Sequence, residues 1–164
     1  MRYAGLIKND FVNGEGVCTS IFLQGCPFKC EGCHNPDAWD FNGGIEIEES
    51  ELIKQISDSI TLNNIKRNLS ILGGEPLCDE NLNFTNKLIS HIKDTFDTIK
   101  IYLWTGFEYS YLINNKKYEY VLNNIDVIIT GPFIKSQRDI TLPLRGSLNQ
   151  EIWRRNDEGI LVLS

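Results

Sequence analysis

The sequence predicts an α/β fold, an open, partial (β/α) barrel on a mostly parallel sheet. Three observations predict it. Short apolar or β-branched runs alternate with longer segments of helical period, the pattern of βαβ units. Glycine-rich turns follow several of those runs, at strand ends where parallel folds collect ligands. The 164 residues fall short of the roughly 200–250 that a closed eight-unit barrel takes. They suffice for one domain, residues 1–164, with a core of its own.

Each element has its own signal. Residues 3–7 are apolar and read as a short strand. Asn13-Gly14-Glu15-Gly16 reads as a turn. Residues 17–23 are rich in β-branched and aromatic side chains and form a strand that leads into a cysteine-bearing loop. That loop extends to about Gly44, with Trp39 and Phe41 to pin it. A helix over 48–60 places Leu52, Ile53, Ile56 and Ile60 on one face and Glu48, Glu49 and Glu51 at the positive end of its dipole. Residues 69–72 form a buried strand. Residues 81–96 form a helix with Leu88, Ile89, Ile92 and Phe96 inward. A strand over 99–104 follows. A broken helix over 108–123 then has Tyr111, Leu112, Tyr118, Val121 and Leu122 as its apolar positions. Residues 125–129 and 160–163 are two further strands.

Composition narrows the partners. Hydrophobic residues make up 41% and charged residues 23%, ordinary for a globular protein. A net charge of -6 and a pI near 4.9 argue against a nucleic-acid or anionic-membrane surface. Arg138, Arg145, Arg154 and Arg155 are interspersed with acids and read as a solvated face or a local anion contact. No signal-peptide pattern and no membrane-length apolar run is visible. With five cysteines, an odd number, this points to a reducing cytoplasm.

The chemistry concentrates in Cys26-Pro27-Phe28-Lys29-Cys30-Glu31-Gly32-Cys33-His34-Asn35, spaced C-x3-C-x2-C. Three thiols so close cannot all pair as disulfides with one another, but a short loop can aim them at one metal centre. A [4Fe–4S] cluster usually takes four cysteinates. With three, one iron keeps an open position, the mark of a catalytic rather than a structural site. A Cys3His zinc site through His34 has suitable ligand types, although adjacent Cys33 and His34 converge poorly on one ion. Cys18 reads as a buried core thiol and Cys78 as a spare structural one.

Three more motifs sit at expected strand ends. Gly73-Gly74-Glu75-Pro76 offers free backbone and a carboxylate able to accept from an ammonium group. Trp104-Thr105-Gly106 ends the third helix-linked strand. Thr130-Gly131-Pro132-Phe133 precedes Arg145-Gly146-Ser147-Leu148-Asn149-Gln150. Each also fits an ordinary turn or packing role.

The cysteine spacing resembles the signature of the radical S-adenosylmethionine (SAM) superfamily. The resemblance implies that Cys26, Cys30 and Cys33 ligate three irons of a [4Fe–4S] cluster, while the fourth iron chelates SAM. It implies that Gly32, Cys33 and His34 run beside the adenine. It further implies that Gly73, Gly74 and Glu75 hold the SAM amino group and that Trp104 borders the nucleoside.

Taken with Asn13-Gly14-Glu15-Gly16 and the late R-G-S-x-N-Q, these motifs are similar to those of one subgroup, the activating proteins of anaerobic ribonucleoside-triphosphate reductase. That resemblance covers nearly the full length. It implies installation of a glycyl radical on the large subunit of the reductase, driven by an external, flavodoxin-like one-electron reductant. No catalytic residue beyond the cluster and SAM is implied. Thr130, where the subgroup pattern expects an acid, and His34, where it expects an aromatic, depart from it. Another radical SAM enzyme would share the same cluster and SAM site.

Overall fold

The computed structural model describes residues 1–164. Twelve elements follow in order: β1 (Arg2–Asp10), β2 (Cys18–Leu23), β3 (Ile45–Glu46), α1 (Glu49–Ile60), β4 (Asn68–Gly73), α2 (Asp79–Thr95), β5 (Ile101–Trp104), α3 (Tyr109–Ile113), α4 (Glu119–Asn124), β6 (Val127–Thr130), β7 (Glu151–Arg155) and β8 (Leu161–Leu163). The break expected within 108–123 is real: a 3-10 turn, Lys116–Tyr118, separates α3 from α4.

The eight strands form one sheet in the order β3-β1-β2-β4-β5-β6-β7-β8. It is mixed, which corrects the mostly parallel sheet expected from sequence. β2, β4, β5 and β6 pair in parallel. The other four pairings, β1–β2, β1–β3, β6–β7 and β7–β8, are antiparallel. The physical reason lies in the connections. Parallel neighbours need a crossover, and only the segments carrying α1, α2 and α3–α4 supply one. The outer strands instead return through loops that carry no α-helix. β3 and β8 are the edges of the sheet, so no pairing closes it into a barrel.

β3 and β7 carry no recognisable sequence signal. Glu151-Ile152-Trp153-Arg154-Arg155 is mostly charged, and it becomes a strand because Ile152 pairs beside Ile129 and Trp153 beside Ile128. Here tertiary pairing overrides local propensity.

Strand alternation sends side chains to two different faces. Ile21, Leu23, Leu69, Ile71, Ile101, Leu103 and Ile128 join the helices in one core. α1 adds Leu52, Ile56 and Ile60, and α2 adds Phe84, Leu88, Ile89 and Ile92. Each such side chain contributes about 2 kcal/mol through burial. The opposite face carries Tyr102, Val127, Ile129 and Ile152 in a smaller cluster. Arg67, 1% exposed, ties α1 to β4: its guanidinium donates to Asn9 Oδ1 and to the carbonyls of Ser59, Leu62 and Ile65. No helix is long and apolar enough to cross a membrane.

Candidate functional site

The four parallel strands end at Leu23, Gly73, Trp104 and Thr130, and each end leads into one of the motifs. Parallel pairing sets these ends side by side. Gly73, Trp104 and the loops that follow the strands line a cavity of about 600 Å³.

The loop after β2 brings Cys26, Cys30, Cys33 and His34 to its wall. The chain there folds back on itself: Gly25 N donates to Ala38 O at 2.8 Å, Cys26 N to Trp39 O at 3.2 Å and Cys33 N to Cys30 O at 3.1 Å. Gln24 Nε2 reaches the carbonyls of Asp37 and Asp40. Trp39 lines the cavity and Phe41 covers Gly25, so both pin the loop. Gly32 is exposed and lies beside Phe133 and Lys135 rather than on the cavity wall.

Gly73, Gly74 and Glu75 line the same cavity. Gly73 has φ +103°, and a Cβ there would lie 2.6 Å from Phe22 Cα. A Cβ on Gly74 would run into the Gly25 carbonyl. The absence of side chains lets the two loops touch through their backbones. Gly74 N donates to Leu23 O at 2.7 Å and Glu75 N to Gly25 O at 2.8 Å.

Glu75 is 1% exposed. Its Oε1 accepts from Leu77 N at 2.9 Å and Thr105 Oγ1 at 2.7 Å, and its Oε2 from Gly106 N at 2.7 Å. The carboxylate that the sequence offers to an ammonium group therefore clamps the end of β4 to the end of β5. One lone-pair direction on Oε2 has no partner among these three. Burial pushes the Glu75 carboxyl up to about 7, against the pull of Gly106, Leu77 and Thr105. The folded state thus holds a proton that the unfolded chain releases near its ordinary pKa. Stability from this group is complete below about pH 4.5 and is lost as pH rises through 7, a change of about 3 kcal/mol. Urea midpoints at pH 5 and pH 8 should show that loss in the wild type and not in Glu75→Gln. A Glu75→Gln protein with the same pH slope would refute the assignment.

Trp104 lines the cavity, and its Nε1 donates to Leu144 O at 2.6 Å. This anchors a wall that the sequence did not reveal, the segment carrying Arg138, Ile140, Leu144 and Arg145. The R-G-S-x-N-Q motif is its latch. Gln150 Oε1 accepts from Gly146 N and Ser147 N, while its Nε2 donates to Gly131 O. Ser147 Oγ accepts from Ile134 N, and Asn149 Nδ2 donates to Pro132 O. The unusual density of polar side chains after Gly131 was the available signal. The arginines divide. Arg138 and Arg145 face the cavity, Arg154 pairs with Glu15 at 2.7 Å, and Arg155 caps the carbonyls of Ile125 and Gly159.

All five cysteines are free. Cys18 and Cys78 are buried away from this cavity. Burial pushes the Cys78 thiol up to about 12 and raises Cys18 as well. Cys26 is also raised by burial, with backbone N–H groups of Phe28 and Lys29 opposing. No three His, Cys, Asp or Glu side chains converge on a position for a single ion. His34 stands against Phe133, with ring centroids 6.0 Å apart. The donor set is three thiols lining one cavity, a ligand type that iron–sulfur clusters take.

The class is that of the iron–sulfur proteins: a family model described as a 4Fe-4S single cluster domain matches residues 12–153. An anaerobic ribonucleoside-triphosphate reductase-activating protein of Haemophilus influenzae is 34% identical over 158 residues, covering 94% of this chain and 98% of its own. The protein of that name from phage T4 is 34% identical and covers 96% of each chain, and that of Escherichia coli K12 is 32% identical over 93% and 97%. The chain belongs to the family of anaerobic ribonucleoside-triphosphate reductase-activating proteins.

Proposed function

We propose that this protein installs a glycyl radical on the large subunit of an anaerobic ribonucleoside-triphosphate reductase, using SAM and a [4Fe–4S] cluster held by Cys26, Cys30 and Cys33. The observation that carries this reading is the shared cavity. Three thiols and the Gly73–Glu75 loop face one space and are joined by backbone hydrogen bonds. Bound there and reduced by one electron from an external flavodoxin-like donor, the cluster would supply the electron for splitting SAM into methionine and a 5′-deoxyadenosyl radical able to take a hydrogen atom from the partner's glycine.

The protein's own residues bind and orient. Cys26, Cys30 and Cys33 would hold the cluster, and a set of three cysteinates would leave it a position for SAM. The Gly73–Gly74 backbone receives the SAM amino group, and Glu75 holds that loop against Thr105 and Gly106. Cys33 and His34 border the adenine, and Trp104 borders the nucleoside. No side chain needs to exchange a proton, because the key step moves a hydrogen atom. Apolar walls from Phe28, Trp39 and Leu144 exclude water and competing hydrogen donors. The cavity mouth carries Val12, 79% exposed, and Ile140, 83% exposed, which suits a protein partner. A cytoplasmic location accords with five free thiols.

The test is electron paramagnetic resonance of the anaerobically reconstituted, reduced protein, with and without SAM, and then with the reductase. A [4Fe–4S] signal that changes on SAM addition, followed by a glycyl-radical signal on the reductase, is expected. A SAM-insensitive cluster would remove the open iron. A SAM-cleaving protein that leaves the reductase silent would remove the partner.

A further inference from the structure

A second cavity, of about 500 Å³, lies next to the first and meets it at Gly131. It lies on the other side of the sheet. Thr130 and Glu151 are directly paired across β6 and β7, and directly opposed residues project to the same face. Their neighbours Ile129 and Ile152 project to the side of Tyr102. Thr130 therefore turns away from the cysteine cavity. The departure at position 130 belongs to this second space.

Every charged group on the wall is an acid. Glu108 and Glu151 are both exposed at it, and no Lys, Arg or His lines it. Two oxygens on its lining residues lack partners. Thr130 is 1% exposed and its Oγ1 has no hydrogen bond. Asn149 donates its amide to Pro132 O at 2.8 Å, which leaves its buried Oδ1 unpartnered. Buried polar atoms are ordinarily satisfied, so two together call for a donor. Trp153 Nε1 is already given to Glu151 Oε2 at 3.0 Å. Its ring stacks on Tyr109 with centroids 3.7 Å apart, and Ile113, Pro132 and Ile134 complete the apolar wall.

We propose that this cavity binds an organic cation, an ammonium or guanidinium on a short apolar stem. The carboxylates attract the charge, Thr130 and Asn149 accept its N–H groups, and the aromatic pair covers the stem. A bare metal ion fits less well, because it needs oxygens converging on one point rather than spread around an apolar space. Two sources share this chemistry: a lysine or arginine side chain of a partner protein, and a free small amine.

Isothermal titration of the reconstituted protein separates them. The probes are butylammonium, butylguanidinium and the Nα-acetyl methylamides of lysine and arginine, with n-butanol as the uncharged control. The cations should bind about tenfold or more tightly than n-butanol, and the double change Glu108→Gln/Glu151→Gln should remove most of that advantage. Thr130→Val should weaken binding severalfold while the protein still folds, since it deletes only an unpartnered hydroxyl. Tighter binding of the capped amino acids identifies a protein side chain, and equal or tighter binding of the simple amines identifies a free amine. The proposal is overturned by equal binding of n-butanol, by cation binding indifferent to these variants, or by stoichiometric displacement with Ca²⁺.

Discussion

Cys26→Ala, Cys30→Ala and Cys33→Ala proteins, each reconstituted without oxygen with iron and sulfide, are expected to hold no stable [4Fe–4S] cluster and to leave the reductase unactivated. Removing any one thiol leaves two cysteinates for four irons, below the usual complement. Cys78 cannot replace the missing ligand. It is buried outside the cavity, its thiol is pushed up to about 12, and its Sγ lies 3.1 Å from Glu75 O. Cys18 sits in β2, at the opposite end of that strand from the loop. Cys18→Ala and Cys78→Ala should therefore keep the iron, the sulfide and the SAM-dependent change in the spectrum. Iron analysis and absorbance measure this. Cluster loss in Cys18→Ala together with retention in Cys33→Ala would overturn the ligand assignment.

Gly74→Ala is expected to lower stability by about 3 kcal/mol, through overpacking against atoms that cannot step aside. The added Cβ meets the Gly25 carbonyl and its carbon, 2.9 Å away, and the Leu23 carbonyl at 3.0 Å. All are backbone atoms. Gly25 immediately precedes Cys26, so the strain reaches the thiol loop as well as the Gly73–Glu75 loop. SAM affinity and iron content should fall together. Urea unfolding reads the first effect, and SAM titration with iron analysis reads the second. A Gly74→Ala protein of wild-type stability and wild-type SAM affinity would show that the two loops do not depend on this contact.

Much of the architecture was legible because its signals are local. All six strands expected from sequence are present, as are the helices over 48–60 and 81–96 within a residue or two. Leu52, Ile56 and Ile60 lie inward as their spacing requires. The direction of pairing was less legible. Strand composition does not encode pairing direction, and it is the connections that make the outer pairs antiparallel. β7 was silent because its stability comes from β6 rather than from its own residues.

The site divides along the same line. The three-thiol loop, the glycine pair and the tryptophan at a strand end were legible along the chain as short motifs, and all three line one cavity. Only the tertiary structure decided that Glu75 serves as a clamp between two strand ends and that Arg145–Gln150 latches a wall of the cavity. It also placed Gly32 off the cavity wall and turned Thr130 toward a second cavity. Each of those outcomes depends on residues distant in the chain coming together in the fold, or on which side of a strand a side chain leaves. Spacing along the chain does not encode either until the strands have paired.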